Sequence, residues 1–275
     1  GHEPALRTVG SGAARLVAHG GSVAAGRAVQ RAAGEALLAT NLELGGKDPA
    51  YVRADADLAH AVENLVDGAC FNSGQSCCGI KRIYVHRDRF DAFVDGYATL
   101  AARYVLGDPT DPATTLGPMV RAAAAEFARG QVDEAVAQGA RTLVDSDGFP
   151  RDARGTAYMA PQCLVGVTHD MRVMREESFA PIVGVMAVSD DDEAIALMND
   201  SDFGLTASVW TRDEQAAREI GDRIATGTWF MNRCDYLDPA LAWVGIKDSG
   251  RGCALSEEAY GVLTRPKSFH LRTGI

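Results

Sequence analysis

Apolar positions recur along this chain in two alternating periods. Leu58, Val62, Leu65 and Ala69 fall on one helical face, with Asp55 and Asp57 ahead of them as N-cap candidates. Ile80 to Val85 reads as a strand. Phe90, Phe93, Val94, Tyr97, Leu100 and Ala101 form a second helical stripe, which stops before the turn-rich Gly107-Asp108-Pro109. A further helix is predicted within 118–138, and strands near 141–144, 181–188, 205–210 and 228–231, with helices between the later ones. Thr211 and Glu214 have capping-box spacing for a helix over 212–225. This alternation from residue 57 onward predicts an α/β fold. The first 20 residues, rich in Gly, Ala and Arg, carry no comparable pattern, and Gly1-His2 matches the remnant of a cleaved tag. The organisation breaks at Gly45-Gly46, with no repeat or low-complexity tract elsewhere.

Composition narrows the partners more than the fold. With 47% hydrophobic and 23% charged residues, the 275-residue chain has ordinary globular composition. A formal net charge of −10 and a sequence pI near 5.1 argue against non-specific attraction to nucleic acid or anionic membranes. A small-molecule partner is the simpler expectation. No apolar run approaches the roughly 20 residues that span a bilayer, and residues 1–20 lack the layout of a secretory signal, so a cytoplasmic location is expected. The six cysteines, Cys70, Cys77, Cys78, Cys163, Cys234 and Cys253, are then expected as free thiols. No Cys-x-x-Cys occurs and the histidines lack ligand spacing, so no metal site is expected.

Two segments concentrate the chemistry. Leu42-Glu43-Leu44-Gly45-Gly46-Lys47 sets a carboxylate at the end of a short apolar strand and follows it with two glycines, which let the backbone turn sharply and approach a ligand. Phe71-Asn72-Ser73-Gly74-Gln75-Ser76-Cys77-Cys78 is a polar loop ending in two thiols. Taken singly, a strand-end Glu is usually solvated and a Cys is usually a small buried hydrophobe.

Taken together, the segments resemble the aldehyde dehydrogenase superfamily, whose paired signatures are Leu-Glu-Leu-Gly-Gly-Lys and a Gly-Gln-x-Cys loop. Glu177-Ser178-Phe179-Ala180-Pro181 resembles the family's Glu-x-Phe-Gly-Pro element, with Ala180 in place of Gly. Asn232 and Gly245-Ile246-Lys247-Asp248-Ser249-Gly250 resemble its closing pattern, and the likeness runs over roughly residues 15–273. Gly21-Ser22-Val23-Ala24-Ala25-Gly26 resembles its Gly-Ser-x-x-x-Gly segment, with His19-Gly20 replacing the usual Phe-Thr before it.

The resemblance implies an NAD(P)-dependent oxidation of an aldehyde to a carboxylic acid. A thiolate adds to the carbonyl, hydride leaves to a nicotinamide, and activated water releases the acid from the thioester. Cys77 is the implied nucleophile and Glu43 the implied base. Adjacent side chains on extended backbone point opposite ways, so Cys78 should face away if Cys77 faces substrate. Gly21, Ser22, Gly26, Leu44, Glu177 and Phe179 are the implied contacts for NAD or NADP, the first at a helix N-terminus suited to phosphate.

The implied organisation is a residual part of a Rossmann-like cofactor domain over 1–45, a catalytic domain over 46–254, and a C-terminal segment over 255–275. In that segment Thr264 to Thr273 would be a strand pairing with a second copy, making the protein a homo-oligomer. The family's early cofactor strands, adenosine-binding Lys and oxyanion Asn have no counterpart here, so the chain reads as truncated and inactive alone. Two competing readings are a catalytically silent interaction subunit and a cofactor-independent cysteine esterase, the latter lacking a Cys-His pair or a Gly-x-Ser-x-Gly elbow. Asp235-Tyr236-Leu237-Asp238-Pro239 and Trp243 line either a substrate entrance or a surface turn.

Overall fold

A computed structural model describes residues 2–274. In chain order its elements begin with α1 (His2–Gly10), β1 (Leu16–Gly20), α2 (Val23–Glu35), β2 (Ala39–Glu43), β3 (Asp48–Val52), α3 (Leu58–Cys70), β4 (Ile80–His86) and α4 (Phe90–Ala101). They continue with α5 (Ala122–Ala137), β5 (Arg141–Thr142), β6 (Gln162–Val165), α6 (Arg172–Arg175), β7 (Ile182–Val188), α7 (Asp191–Asn199), β8 (Phe203–Gly204), β9 (Thr206–Trp210) and α8 (Glu214–Gly221). The last are β10 (Thr228–Met231), β11 (Ile246–Lys247), β12 (Gly250–Arg251) and α9 (Glu258–Leu263).

A seven-stranded sheet of order β10-β9-β3-β4-β7-β6-β5 forms the larger body, parallel throughout except where β5 pairs with β6. One face carries α3 and α4, packed through Leu65, Ile83, Phe93, Tyr97 and Trp210. The other carries α7 and α8, where Ile195, Met198, Ala217 and Ile220 meet Tyr51, Tyr84 and Val209. Burial on both faces explains why β3 and β6 escape sequence reading: neither alternates, since every residue of both is buried.

The smaller sheet, β1-β2-β12, leaves β1 as an edge. The chain passes from β2 in this sheet to β3 in the larger one through Leu44–Lys47, and β12 returns to pair antiparallel with β2. Residues 2–20, without a readable pattern in the sequence, include α1 and β1. The tag reading rests partly on Gly1, which lies outside the described residues.

Two expectations change. Asp57, whose carboxylate accepts the His60 N–H, caps α3, while Asp55 instead accepts the Thr211 hydroxyl and the Arg212 N–H. Thr211 is not the cap of α8. Asp213 is, because the Thr211 side chain is already committed to Asp55 and Arg53 and its N–H to Asn232. Within one chain Thr264 to Thr273 pairs with no strand, and Phe269 and Leu271 stand exposed; the expected pairing was with a second copy. Among the described residues no helix is long and apolar enough to cross a membrane, and no three His, Cys, Asp or Glu side chains gather as for a metal ion.

Candidate active site

The two chemical segments meet through backbone. A side chain on Gly46 would put its first carbon 2.1 Å from the Cys77 carbonyl oxygen, so only glycine lets the strand-end turn lie under the thiol loop. Asn72, Ser73 and Gly74 follow one another at positive φ, and a Cβ on Gly74 would fall 2.2 Å from the Ala180 carbonyl. The loop is therefore wrapped tightly onto the Glu177–Pro181 segment. Ser73 Oγ donates to the Gly117 carbonyl at 2.7 Å, and Gln75 Oε1 accepts the Val120 N–H at 2.7 Å.

Buried cations clamp these turns. Lys81, 1% exposed on β4, donates to the carbonyls of Gly74 at 2.9 Å and Ala180 at 2.8 Å, tying the thiol loop to the Phe179 loop. Burial lowers its pKa to about 8. Lys47 donates to Ser178 Oγ at 2.8 Å, and its burial and the neighbouring Lys81 hold its pKa well below the ordinary lysine value. Arg82 donates to the carbonyls of Lys47, Leu197 and Met198. Asp48 accepts from the Thr206 N–H and hydroxyl, and burial raises its pKa well above the usual carboxylate range. The pattern held one clue to these residues: Lys81 and Arg82 interrupt an otherwise apolar strand.

Cys77 and Cys78 occupy the middle of a turn closed by the Gly79 N–H to the Ser76 carbonyl at 3.2 Å. The backbone is not extended there, so strand alternation does not set the directions of the two side chains. Cys78 is buried with Leu205 and Trp243, and Cys77 is half-buried, packed against that cluster. The Cys78 Sγ donates to Asp235 Oδ1 at 2.8 Å, to which Ser76 Oγ also donates at 3.1 Å. Hydrogen bonding from the Cys78 side chain, aided by the backbone N–H groups of both residues, lowers the Cys77 pKa against the opposing effect of burial. Contact with Cys77, burial and Asp235 raise that of Cys78 far above the thiol range. Burial pushes Cys70, Cys163 and Cys234 up to about 12, leaving Cys77 the better thiolate.

The remaining expected residues divide. Glu43 ends β2 between Gly20 and Gly250, with its side chain exposed. Glu177 turns inward: its carboxylate lies against Gly45 and accepts the Gly46 N–H at 3.1 Å, and burial raises its pKa. Phe179, at φ +47°, is 40% exposed beside the thiol loop in an open cleft of about 850 Å³. Ser22 caps α2 through the Ala25 N–H, whereas Gly26 and Leu44, both buried, pack on each other. Ala5, Leu6, Ala25 and Val29 line a cavity of about 410 Å³ at that helix N-terminus, where His19 contributes a buried Nε2 without a hydrogen-bond partner. Of the proposed entrance, Trp243 is 7% exposed and belongs to the packing under Cys78, while Asp235 binds that thiol.

The family model described as aldehyde dehydrogenase family matches residues 7–269. An aldehyde dehydrogenase of Paenarthrobacter nicotinovorans is 44% identical over 90% of this chain and 53% of its own length. A succinate semialdehyde dehydrogenase [NAD(P)+] of Escherichia coli is 40% identical over 86% of this chain and 50% of its own length. The crystal structure of lactaldehyde dehydrogenase from Escherichia coli superposes with a TM-score of 0.87 at 33% identity, covering 93% of this chain and 53% of that one. The chain thus spans about half the length of the relatives it matches.

Proposed function

The chain belongs to the aldehyde dehydrogenase family, and from that premise we propose that it carries the nucleophile and the base of an NAD(P)-dependent oxidation of a small aldehyde to its acid. The observation that carries the reading is the turn holding Cys77, whose half-buried thiol is acidified while its neighbour Cys78 is held protonated by Asp235. Cys77 would add to the aldehyde carbonyl, and its own N–H would serve the oxyanion. Glu43, exposed at the strand end and joined to the thiol loop by Leu44–Gly46, would accept a proton from the water that cleaves the thioester.

The residues present suit a dinucleotide. The 410 Å³ cavity offers apolar walls for a flat base, and the first N–H groups of α2, with Ser22 and the unpartnered His19 Nε2, offer donors for phosphate. A bound nicotinamide supplies the hydride acceptor. Phe179 would pack against its ring, and Glu177 would contact its ribose by turning from Gly46.

Limiting iodoacetamide followed by peptide mapping tests the assignment. Cys77 is expected to label first, and prior labelling of Cys78 or Cys234 would overturn it.

A further inference from the structure

Two buried lysines grip residues 177–181, and one of them does more than hold that segment. Lys47 donates to Ser178 Oγ, whereas Lys81 donates both to the Ala180 carbonyl at 2.8 Å and to the Gly74 carbonyl at 2.9 Å. We propose that Lys81 is a positioning residue for the oxidation, fixing the Cys77 thiol against the loop that carries Phe179. The proposal rests on the reading of Cys77 as the nucleophile and of Phe179 as the residue that meets the nicotinamide.

An ammonium buried to 1% exposure is unfavourable unless it is hydrogen-bonded, and Lys81 finds its partners in two different loops. Both carbonyls lie at left-handed turns: Gly74 is itself at φ +69°, and Ala180 follows Phe179 at φ +47°. The turns touch, since a Cβ on Gly74 would meet the Ala180 carbonyl carbon and oxygen at 2.2 Å. Two carbonyl oxygens drawn toward one point repel through their like partial charges, and a cation between them turns that repulsion into attraction. The Ala180 oxygen also accepts the Ile182 N–H at 2.8 Å, so the tie reaches the start of β7, the strand beside β4.

Position gives the tie its consequence. Gly74 lies three residues before Cys77, and Ala180 directly follows Phe179. A Cβ built on Gly79, just past the thiols, would stand 3.2 Å from Lys81 Nζ, so the ammonium underlies both ends of the thiol loop. Hydride transfer tolerates little error, because a displacement of about 1 Å can cost about 100-fold in rate. With the tie cut, the two loops move independently, and the carbon bonded to sulfur is no longer held at one distance from the hydride acceptor. Around the ammonium stand Cys70 of α3, Asp48 of β3, Glu177 and Asp235, which favour its charge, and Lys47, which opposes it. Burial outweighs the four and brings the Lys81 pKa down to about 8.

Amide hydrogen exchange of the full chain, read by peptide mass over residues 71–79 and 176–181, tests the tie, with iodoacetamide mapping of the thiols in the same preparation. Lys81→Met is expected to speed exchange in both segments by about 10-fold or more. It should also slow the labelling of Cys77, whose acidity draws on backbone N–H groups of the loosened turn, and leave the buried Cys163 unlabelled. Lys47→Met, which removes the bond to Ser178, should speed exchange over 176–181 alone. Loosening of one segment or neither in Lys81→Met, or of both in Lys47→Met, would overturn the proposal. So would labelling of Cys163 in Lys81→Met, which marks general opening and a merely structural lysine. Labelling of Cys78 or Cys234 before Cys77 in the unmodified chain would instead defeat the nucleophile reading beneath the proposal. A second arm needs no substitution. As pH rises through about 8, the ammonium becomes an amine that keeps two N–H donors and loses the charge assistance, so exchange corrected for its intrinsic pH dependence should quicken in both segments together. A change confined to one segment, or absent from both, would remove Lys81 from the role.

Discussion

At the scale of single residues, the site is built from positions where a side chain is forbidden as much as from those where one is required. Gly46 touches the Cys77 carbonyl so closely that a methyl group would need to displace the thiol loop or Asp48, whose Oδ1 would lie 2.9 Å away. Overpacking of this kind costs about 1–3 kcal/mol. Gly46→Ala is therefore expected to lower unfolding stability by about 2 kcal/mol in urea titration and to slow alkylation of Cys77 in the same sample. Unchanged stability and labelling would mean that the turn yields more easily than its packing indicates. Glu43, the glycines and Cys77 were legible in the sequence only through the resemblance of their two segments to a known family, since a strand-end Glu or a lone Cys is common taken singly. The pairing of Cys78 with Asp235 was not, since it depends on a left-handed backbone at a distant residue and on a turn at the two cysteines.

Elements position these residues through cross-links that strand periodicity does not announce. The helices α3 and α4 and the strand β4 were legible because each presents one apolar face or a run rich in β-branched and aromatic residues, whereas β3 and β6 were hidden by burial on both faces. The link between β4 and the end of α7 is a polar one. Tyr84 Oη lies 2.8 Å from His169 Nε2, and His169 Nδ1 lies 2.7 Å from Asp200 Oδ2, with Arg82 and Arg175 flanking the relay. Burial lowers the His169 pKa below its ordinary 6.5, outweighing the opposing pull of Asp200. A depressed histidine favours folding while neutral, so its contribution is complete above 6.5 and is lost as pH falls through the lower folded value. Melting temperature should accordingly fall below pH 6.5, and His169→Gln should flatten that slope while lowering stability at neutral pH. A slope unaffected by the substitution would show that another group controls it.

Across the whole molecule, the requirement for simultaneous positioning decides what these 275 residues can do by themselves. Hydride transfer needs the reacting atoms about 3–3.5 Å apart, and a displacement of about 1 Å can cost about 100-fold in rate. Binding energy from the remote half of a dinucleotide normally holds the reactive end in place. Here the sheet that bears α2 has only three strands with β1 as its edge, and the cleft beside the thiol loop exposes Phe71, Val120 and Phe179. Glu177 is meanwhile engaged with Gly46. Oxyanion stabilisation from the Cys77 N–H alone would cost a further factor on the order of 100 to 1,000 relative to a two-donor site. The two penalties multiply if they are independent. The purified chain is therefore expected to give no steady NADH or NADPH formation with simple aldehydes, while Cys77 still alkylates, because nucleophilicity depends on the local turn and not on the cofactor. Both are read in one preparation, by absorbance of reduced cofactor and by mass mapping of the labelled thiol. Sustained cofactor reduction that disappears in Cys77→Ala would show that the three-stranded sheet and the single donor suffice.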